Sequence, residues 1–126
     1  LNVLEDRRYL QSHEWHYLDG DMVTIGITQY AADELTDITY VELPEVGATV
    51  EAGSPFGEIE SVKATAELSS GVTGQVAEVN DRLADEPELV NNDPFGDGWM
   101  LRVKVKNSAD FDKLLSPAAY AKQIGG

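Results

Sequence analysis

Few side chains in this sequence are equipped to make or break bonds, and Lys63 is the one whose setting gives it a task. It sits in 60-ESVKA-64, within the run 56-FGEIESVKATAEL-68, which is strand-like and contains no Pro or Asn-Gly. Two strands flanking Val62 and Lys63, joined by a tight turn, would put the lysine at a hairpin tip. A primary amine on a flexible four-carbon stem is there open to a modifying enzyme, while the flanking strands hold the backbone in a recognisable shape. Acylation would erase its charge and take the formal net charge from -14 to -15. By pattern alone, the ordinary alternative is a solvated surface lysine.

The remaining candidates are weaker. Glu14, in 13-HEW-15, reads either as an edge carboxylate or as the counter-charge for an amine-bearing cargo, if its strand runs beside Lys63. Glu67 alternates with Lys63 along the same segment and is open to the same two readings. His13 and His16 would point to opposite faces of a strand and, with Glu14, make a poor chelate, so His13 reads as a packed or surface histidine and no metal site is expected. Asp93 and Asp97 lie in 91-NNDPFGDGW-99, where Pro94 and the glycines read as turn makers and the spacing is not that of an EF-hand. No Ser-His-acid set, glycine-rich phosphate loop or spaced acidic metal motif occurs, so an enzyme in its own right is unsupported.

Composition narrows the partners. The absence of cysteine removes disulfides, thiolate nucleophiles and cysteine-ligated zinc. With 23 acidic against 9 basic residues the chain repels phosphate backbones and anionic membranes; it suits basic patches on protein partners, with attraction that weakens in salt. No apolar stretch reaches the roughly 20 residues of a membrane helix. No leader is visible at Leu1, so the expected location is the cytoplasm for a bacterial source and the mitochondrial matrix for a eukaryotic one, the missing transit peptide favouring the cytoplasm.

The elements that must position these residues are mostly short strands. The aromatic-rich 12-SHEWHYL-18 is followed by a 19-DGD-21 turn and by 22-MVTIGIT-28, where Val23, Ile25 and Ile27 share a face. Thr28 is placed to cap a helix over 29-QYAADELTD-37. Strands are expected at 38-ITYVEL-43, on both sides of Lys63, at 75-QVAEV-79 and at 99-WMLRVKV-105, whose inward set would be Trp99, Leu101, Val103 and Val105. Residues 80–98 read as loop with one helical turn. Ser108 is expected to cap 109-ADFDKLL-115, and Ser116 with Pro117 to start 118-AAYAKQIGG-126. An internal echo pairs Gly47 and Val50 with Gly74 and Val76 at comparable turn exits. At 126 residues the expectation is one domain, mainly β, with 108–126 as a C-terminal helical extension.

Several separated motifs then occur together and in order: 12-SHEW-15, 24-TIGIT-28, 42-ELPEVG-47, 60-ESVKA-64, 77-AEVN-80, 89-LVNNDPFGDGW-99 and 117-PAAY-120. With them the chain resembles the H protein of the glycine cleavage system over nearly its whole length. The resemblance implies a lipoyl-domain-like hybrid of barrel and sandwich with peripheral and C-terminal helices, and lipoate joined by an amide to Lys63. It implies a non-catalytic carrier that takes an aminomethyl group from the pyridoxal-phosphate-dependent glycine decarboxylase to the tetrahydrofolate-dependent aminomethyltransferase. Dihydrolipoamide dehydrogenase then reoxidises the arm, and a lipoate ligase or an octanoyl or lipoyl transferase attaches it. Glu14 would be the partner of the cargo amine, Ile27 would help exclude water, and Glu67 would add charge.

Two departures stand out. Where many relatives have Ser-Asp after the lysine this chain has 66-AE-67, and where many have Ser-Pro it has 70-SG-71, a change expected to loosen the turn. Rival carriers fit less well: lipoyl domains of 2-oxoacid dehydrogenases typically carry Asp-Lys-Ala and biotin carriers Met-Lys-Met, against 62-VKA-64 here. A relay protein that passes lipoyl or octanoyl groups to other enzymes would use the same Lys63. A module that is never modified would keep it as a free amine.

Overall fold

The computed structural model describes residues 3–125. Among the described residues, nine strands form two antiparallel sheets with five short helices along their margins. The larger sheet has the order β1-β2-β3-β9-β8-β5, built from β1 (Arg8–Tyr9), β2 (Glu14–Asp19), β3 (Met22–Ile27), β9 (Leu101–Val105), β8 (Gly74–Val79) and β5 (Thr49–Val50). The smaller has the order β4-β6-β7, from β4 (Ile38–Glu42), β6 (Ser54–Ser61) and β7 (Thr65–Ser70). The helices are α1 (Gln29–Leu35), α2 (Arg82–Asp85), α3 (Leu89–Asn92), α4 (Ala109–Asp112) and α5 (Pro117–Gln123).

Local chemistry accounts for most boundaries. Asp19 pairs with Met22 across a two-residue turn whose Gly20 has φ +66, a conformation a side chain would resist. The alternation in β3 buries Val23, Ile25 and Ile27 as expected, and Thr28 caps α1 by accepting from the Ala31 N–H at 3.3 Å. Gly26 has a second reason to be glycine. It stands opposite Trp15, and a Cβ there would lie 2.7 Å from the indole.

One aliphatic core is shared by both sheets. Val23, Ile25, Leu101, Val103 and Val76 enter it from the larger sheet, and Ile38, Val41, Ile59 and Leu68 from the smaller. A second cluster is aromatic. Tyr9 and Tyr120 stack with centroids 4.5 Å apart, Trp15 joins them, and Phe95, Trp99 and Leu115 close around. The indole N–H of Trp15 donates to the Pro94 carbonyl at 3.0 Å, satisfying the one polar atom that burial would otherwise strand. On this side α5 adheres to β1, so the C-terminal segment is part of the packing.

Four expectations are corrected. The last strand starts at Leu101, because Trp99 turns to the aromatic cluster while Met100 is fully buried in the aliphatic one. The helix expected over 109–115 ends at Asp112, and its first N–H is met by the Asn107 side chain (2.8 Å) instead of Ser108. Residues 80–98 hold two short helices, since Leu83 and Val90 each anchor a turn in the core. α5 spans Pro117–Gln123, capped by Ser116 as expected. The two stretches of the internal echo lie side by side: β5 pairs with β8, and the Gly47 N–H donates to the Val76 carbonyl at 2.8 Å.

Candidate functional site

β6 and β7 form the hairpin that the composition around Lys63 predicts. Its register runs Glu58 opposite Glu67, Ile59 opposite Ala66 and Glu60 opposite Thr65, and the Ser61 N–H then donates to the Ala64 carbonyl at 2.8 Å. Val62 and Lys63 are left at the apex. The Ser61 hydroxyl oxygen accepts from the N–H groups of both Lys63 (3.2 Å) and Ala64 (3.1 Å), so a single small side chain organises the turn from within. Val62 is 66% exposed, an unusual position for a β-branched apolar residue, and Lys63 beside it is exposed as well.

The apex is also fastened from outside. The Val62 N–H donates to the Asp37 carbonyl at 3.0 Å, in the connection between α1 and β4. That connection carries backbone strain at Thr36, which has φ 62 and ψ -149, a region nearly reserved for glycine. Asn91 braces it from α3, donating to the Thr36 carbonyl (2.8 Å) and accepting from the Ile38 N–H (2.9 Å).

Below the apex a cavity of about 180 Å³ opens between β2, β3, α1 and the hairpin. Ile27, Ala31, Leu35, Ile59, Ala66 and Leu68 form its apolar walls, and Glu14, Glu34, Glu67, Ser12 and His13 supply its polar atoms. Of the four residues singled out in the sequence, three therefore meet here: Glu14, Ile27 and Glu67. Lys63 does not line the cavity; it stands at the tip of the hairpin whose strands form one wall.

Glu14 is the unusual member. Its side chain is 1% exposed, yet it faces no cation among the described residues; it accepts from the Ser12 hydroxyl and from the Ser69 N–H at 2.8 Å. Burial pushes its pKa above the usual carboxylate value, and the hydrogen bonds from Ser12 and Ser69 pull it back. His13 sits at the cavity edge with φ 80, its Nδ1 sharing a hydrogen bond with the Tyr120 hydroxyl at 2.8 Å. The same hydroxyl shares one with Thr28 at 2.7 Å, which ties α5 to the start of α1. Burial lowers the His13 pKa, and the Glu34 charge opposes that shift. Among the described residues no group of three or more His, Cys, Asp or Glu is placed to hold a metal ion.

Glu34, Ser12, Ser61 and Asn91 are absent from the residues picked out in the sequence. The Ser61 role had a local signal, since a serine just before a hairpin apex is a turn-former. Glu34 had none, because only the docking of α1 over the hairpin brings it to the cavity. The turn at 70-SG-71 is held by side chains: Ser70 is buried, its hydroxyl donates to the Val72 carbonyl (2.7 Å), and the Gly71 N–H donates to a buried His16 (2.9 Å).

An exposed lysine thus stands on a braced apex, above a small cavity carrying three carboxylates. Comparison with known proteins gives the chain a family: the description "Glycine cleavage H-protein" matches residues 7–125. The chain belongs to the glycine cleavage H-protein family. It is 54% identical over 124 residues to a probable glycine cleavage system H protein of Haloarcula marismortui, covering 98% of each chain. To the glycine cleavage system H protein of Rubrobacter xylanophilus it is 52% identical, over 97% of this chain and 94% of that one. Superposed on the crystal structure of a glycine cleavage system H protein from Mycobacterium marinum, it gives a TM-score of 0.90 at 38% identity, covering 98% of this chain and all of the other.

Proposed function

We propose that Lys63 is the attachment point of the lipoyl arm of this H protein, and that the cavity of Glu14, Ile27 and Glu67 shelters the arm's amine-bearing cargo between enzymes. The observation that carries the reading is the buried Glu14 carboxylate, set in an apolar cavity whose wall continues to the Lys63 apex. Strand rises about 3.3 Å per residue, so the interval from Ala66 to Lys63 is one that a lysine stem lengthened by an acyl chain can fold back across. The two-sheet arrangement is, on this reading, the lipoyl-domain-like hybrid of barrel and sandwich.

When bound, the lipoyl group supplies the dithiol that takes up a one-carbon amine unit and is later reoxidised. The chain's own residues bind and protect. Glu14 offers a cationic amine a charge-assisted contact, worth about 1.5–3 kcal/mol per hydrogen bond. The Ser12 hydroxyl and the Ser69 N–H keep that carboxylate oriented, while Glu34 and Glu67 at the mouth add negative charge without occupying the interior. Ile27, Leu35 and Ile59 exclude water. An acyl relay would need Lys63 alone and leaves the three carboxylates without a task.

The partners on this reading are glycine decarboxylase, aminomethyltransferase, dihydrolipoamide dehydrogenase and the enzyme that attaches the arm. Each meets the same apex in turn, which favours modest interfaces, and a net charge of -14 steers the chain to basic patches. The chain itself carries and does not catalyse. Intact-mass spectrometry after incubation with a lipoate ligase, lipoate and ATP tests the attachment. One lipoyl addition in the wild type and none in Lys63→Arg is the expected result. A folded wild type that takes up nothing from a ligase active on another H protein overturns it.

A further inference from the structure

β2 and the end of β7 belong to different sheets and share no backbone ladder. The N–H groups of residues 69 and 71 nevertheless find acceptors, and both come from side chains of β2. Glu14 Oε2 accepts from the Ser69 N–H at 2.8 Å, and His16 Nε2 accepts from the Gly71 N–H at 2.9 Å. A spacing of two on both segments is the repeat of an extended chain. The two contacts therefore make a two-rung ladder in which a carboxylate and an imidazole stand where main-chain carbonyls would stand between paired strands.

His16 is costly to place there. It is fully buried, and because Nε2 accepts, the ring proton must sit on Nδ1, which has no hydrogen-bond partner among the described residues. The ring lies so close to Gly71 that a Cβ at that position would be 3.1 Å from Nε2. Burial pushes its pKa down to about 4, against a smaller upward pull from the Glu14 main chain, so the ring is neutral at ordinary pH and works as an acceptor. A buried group held with one nitrogen unsatisfied calls for a reason.

We propose that His16 is a positioning residue of the cargo cavity: its rung clamps the end of β7 to β2 and thereby keeps the Ser69 N–H on the Glu14 carboxylate. Glu14 is then oriented by two donors instead of one, and the clamp sets how long an amine stays sheltered. The clamp is a property of the bare protein; its effect on retention rests on the reading of the cavity as a cargo shelter.

The test compares the wild type with His16→Val, which removes the acceptor, and His16→Gln, whose side-chain oxygen reaches nearly the same place. In unmodified protein, amide hydrogen exchange at Ser69 reads the clamp. His16→Val should speed that exchange by about fivefold or more, the loss expected when one buried hydrogen bond is opened, and His16→Gln should recover most of it. In lipoylated, aminomethyl-loaded protein, release of the cargo should rise by a similar factor, about fivefold, in His16→Val and fall back in His16→Gln. If His16→Val alters the Gly71 amide alone and leaves Ser69 exchange as in the wild type, the clamp does not exist and the proposal is overturned. Should His16→Val loosen Ser69 while both it and Glu14→Gln release cargo at the wild-type rate, the clamp stands and the shelter reading fails. Should His16→Val prevent folding, His16→Leu, closer in volume to the imidazole and equally without an acceptor, makes the same comparison: Ser69 exchange about fivefold faster is expected, and exchange as in the wild type overturns the clamp.

Discussion

At its leading end β7 leaves an apex where Val62, Lys63 and Ala64 are exposed and fastened through the Ser61 hydroxyl and the Asp37 carbonyl. At its trailing end Leu68 and Ser70 are buried, and Ser69 and Gly71 donate to side chains from the other sheet. One short strand thus joins a site built to be reached and a site built to be shut. The apex relies on main-chain and serine contacts that cost little to solvate. Behind it, carboxylate and imidazole are buried where every unsatisfied atom is expensive. On the proposed function, the pairing separates two tasks of a carrier, being recognised and keeping its load, so that each can be disturbed without the other.

Leu68 anchors the trailing end in the core, and its truncation should be the most damaging single change. Leu68→Ala is expected to cost about 3 kcal/mol in urea unfolding through the cavity it leaves. If the cost is under about 1 kcal/mol, the trailing end is softer than its burial implies.

The next largest effect is an acid sensitivity that arises mainly at the trailing end. The His16 pKa is pushed down from 6.5 to about 4 in the folded protein, so the unfolded chain binds the extra proton first. Its contribution is whole above pH 6.5 and is lost as pH falls from there towards 4, by up to about 3 kcal/mol. His13, also lowered, adds in the same direction. Glu14, whose pKa is raised, contributes oppositely and loses stability as pH rises through its titration. Urea midpoints at stepped pH should show a shallower acid limb in His16→Gln than in the wild type; identical limbs would remove His16 from the account.

Glu14→Gln should leave Lys63 fully lipoylated while the loaded protein releases its aminomethyl group about tenfold faster, followed by chase with unlabelled substrate. Equal release rates would mean that the carboxylate does not hold the amine. The smallest effect is at the apex. Ser61→Ala frees two N–H groups that water can reach, so stability should fall by only about 0.5 kcal/mol while lipoylation slows about twofold. A larger loss of stability than of lipoylation rate would break the contrast between the ends.

How much of this was legible in the sequence follows from how local each signal is. The Lys63 hairpin, the Thr28 and Ser116 caps and the alternation in β3 are written within a few residues, and the structure has them in place. The capping of α4 by Asn107 and the turn of Trp99 to the aromatic cluster depend on competition between neighbours that spacing does not decide. Glu34 and Asn91 act only because helices dock where they do. His16 was the hardest to read. Glu14 and His16 share one face of β2 and Trp15 takes the other, a pattern that normally leaves the polar face in water. Here both faces are covered, one by the aromatic cluster and one by residues 69–72, and the alternation carries no hint of it.

The hydrogen bond from Val62 to Asp37, braced in turn by Asn91, bears on the cost of each encounter. Any enzyme that grips the apex would otherwise have to freeze a loop, at about 1–2 kcal/mol of backbone entropy per residue. A turn already fastened on both sides arrives with that ordering done, so the freedom lost on docking is confined to the lysine stem and whatever it bears. On the proposed function, a handle that is stiff in the main chain and loose only beyond Cβ can therefore be taken up and let go by several enzymes in succession without each having to reshape it first.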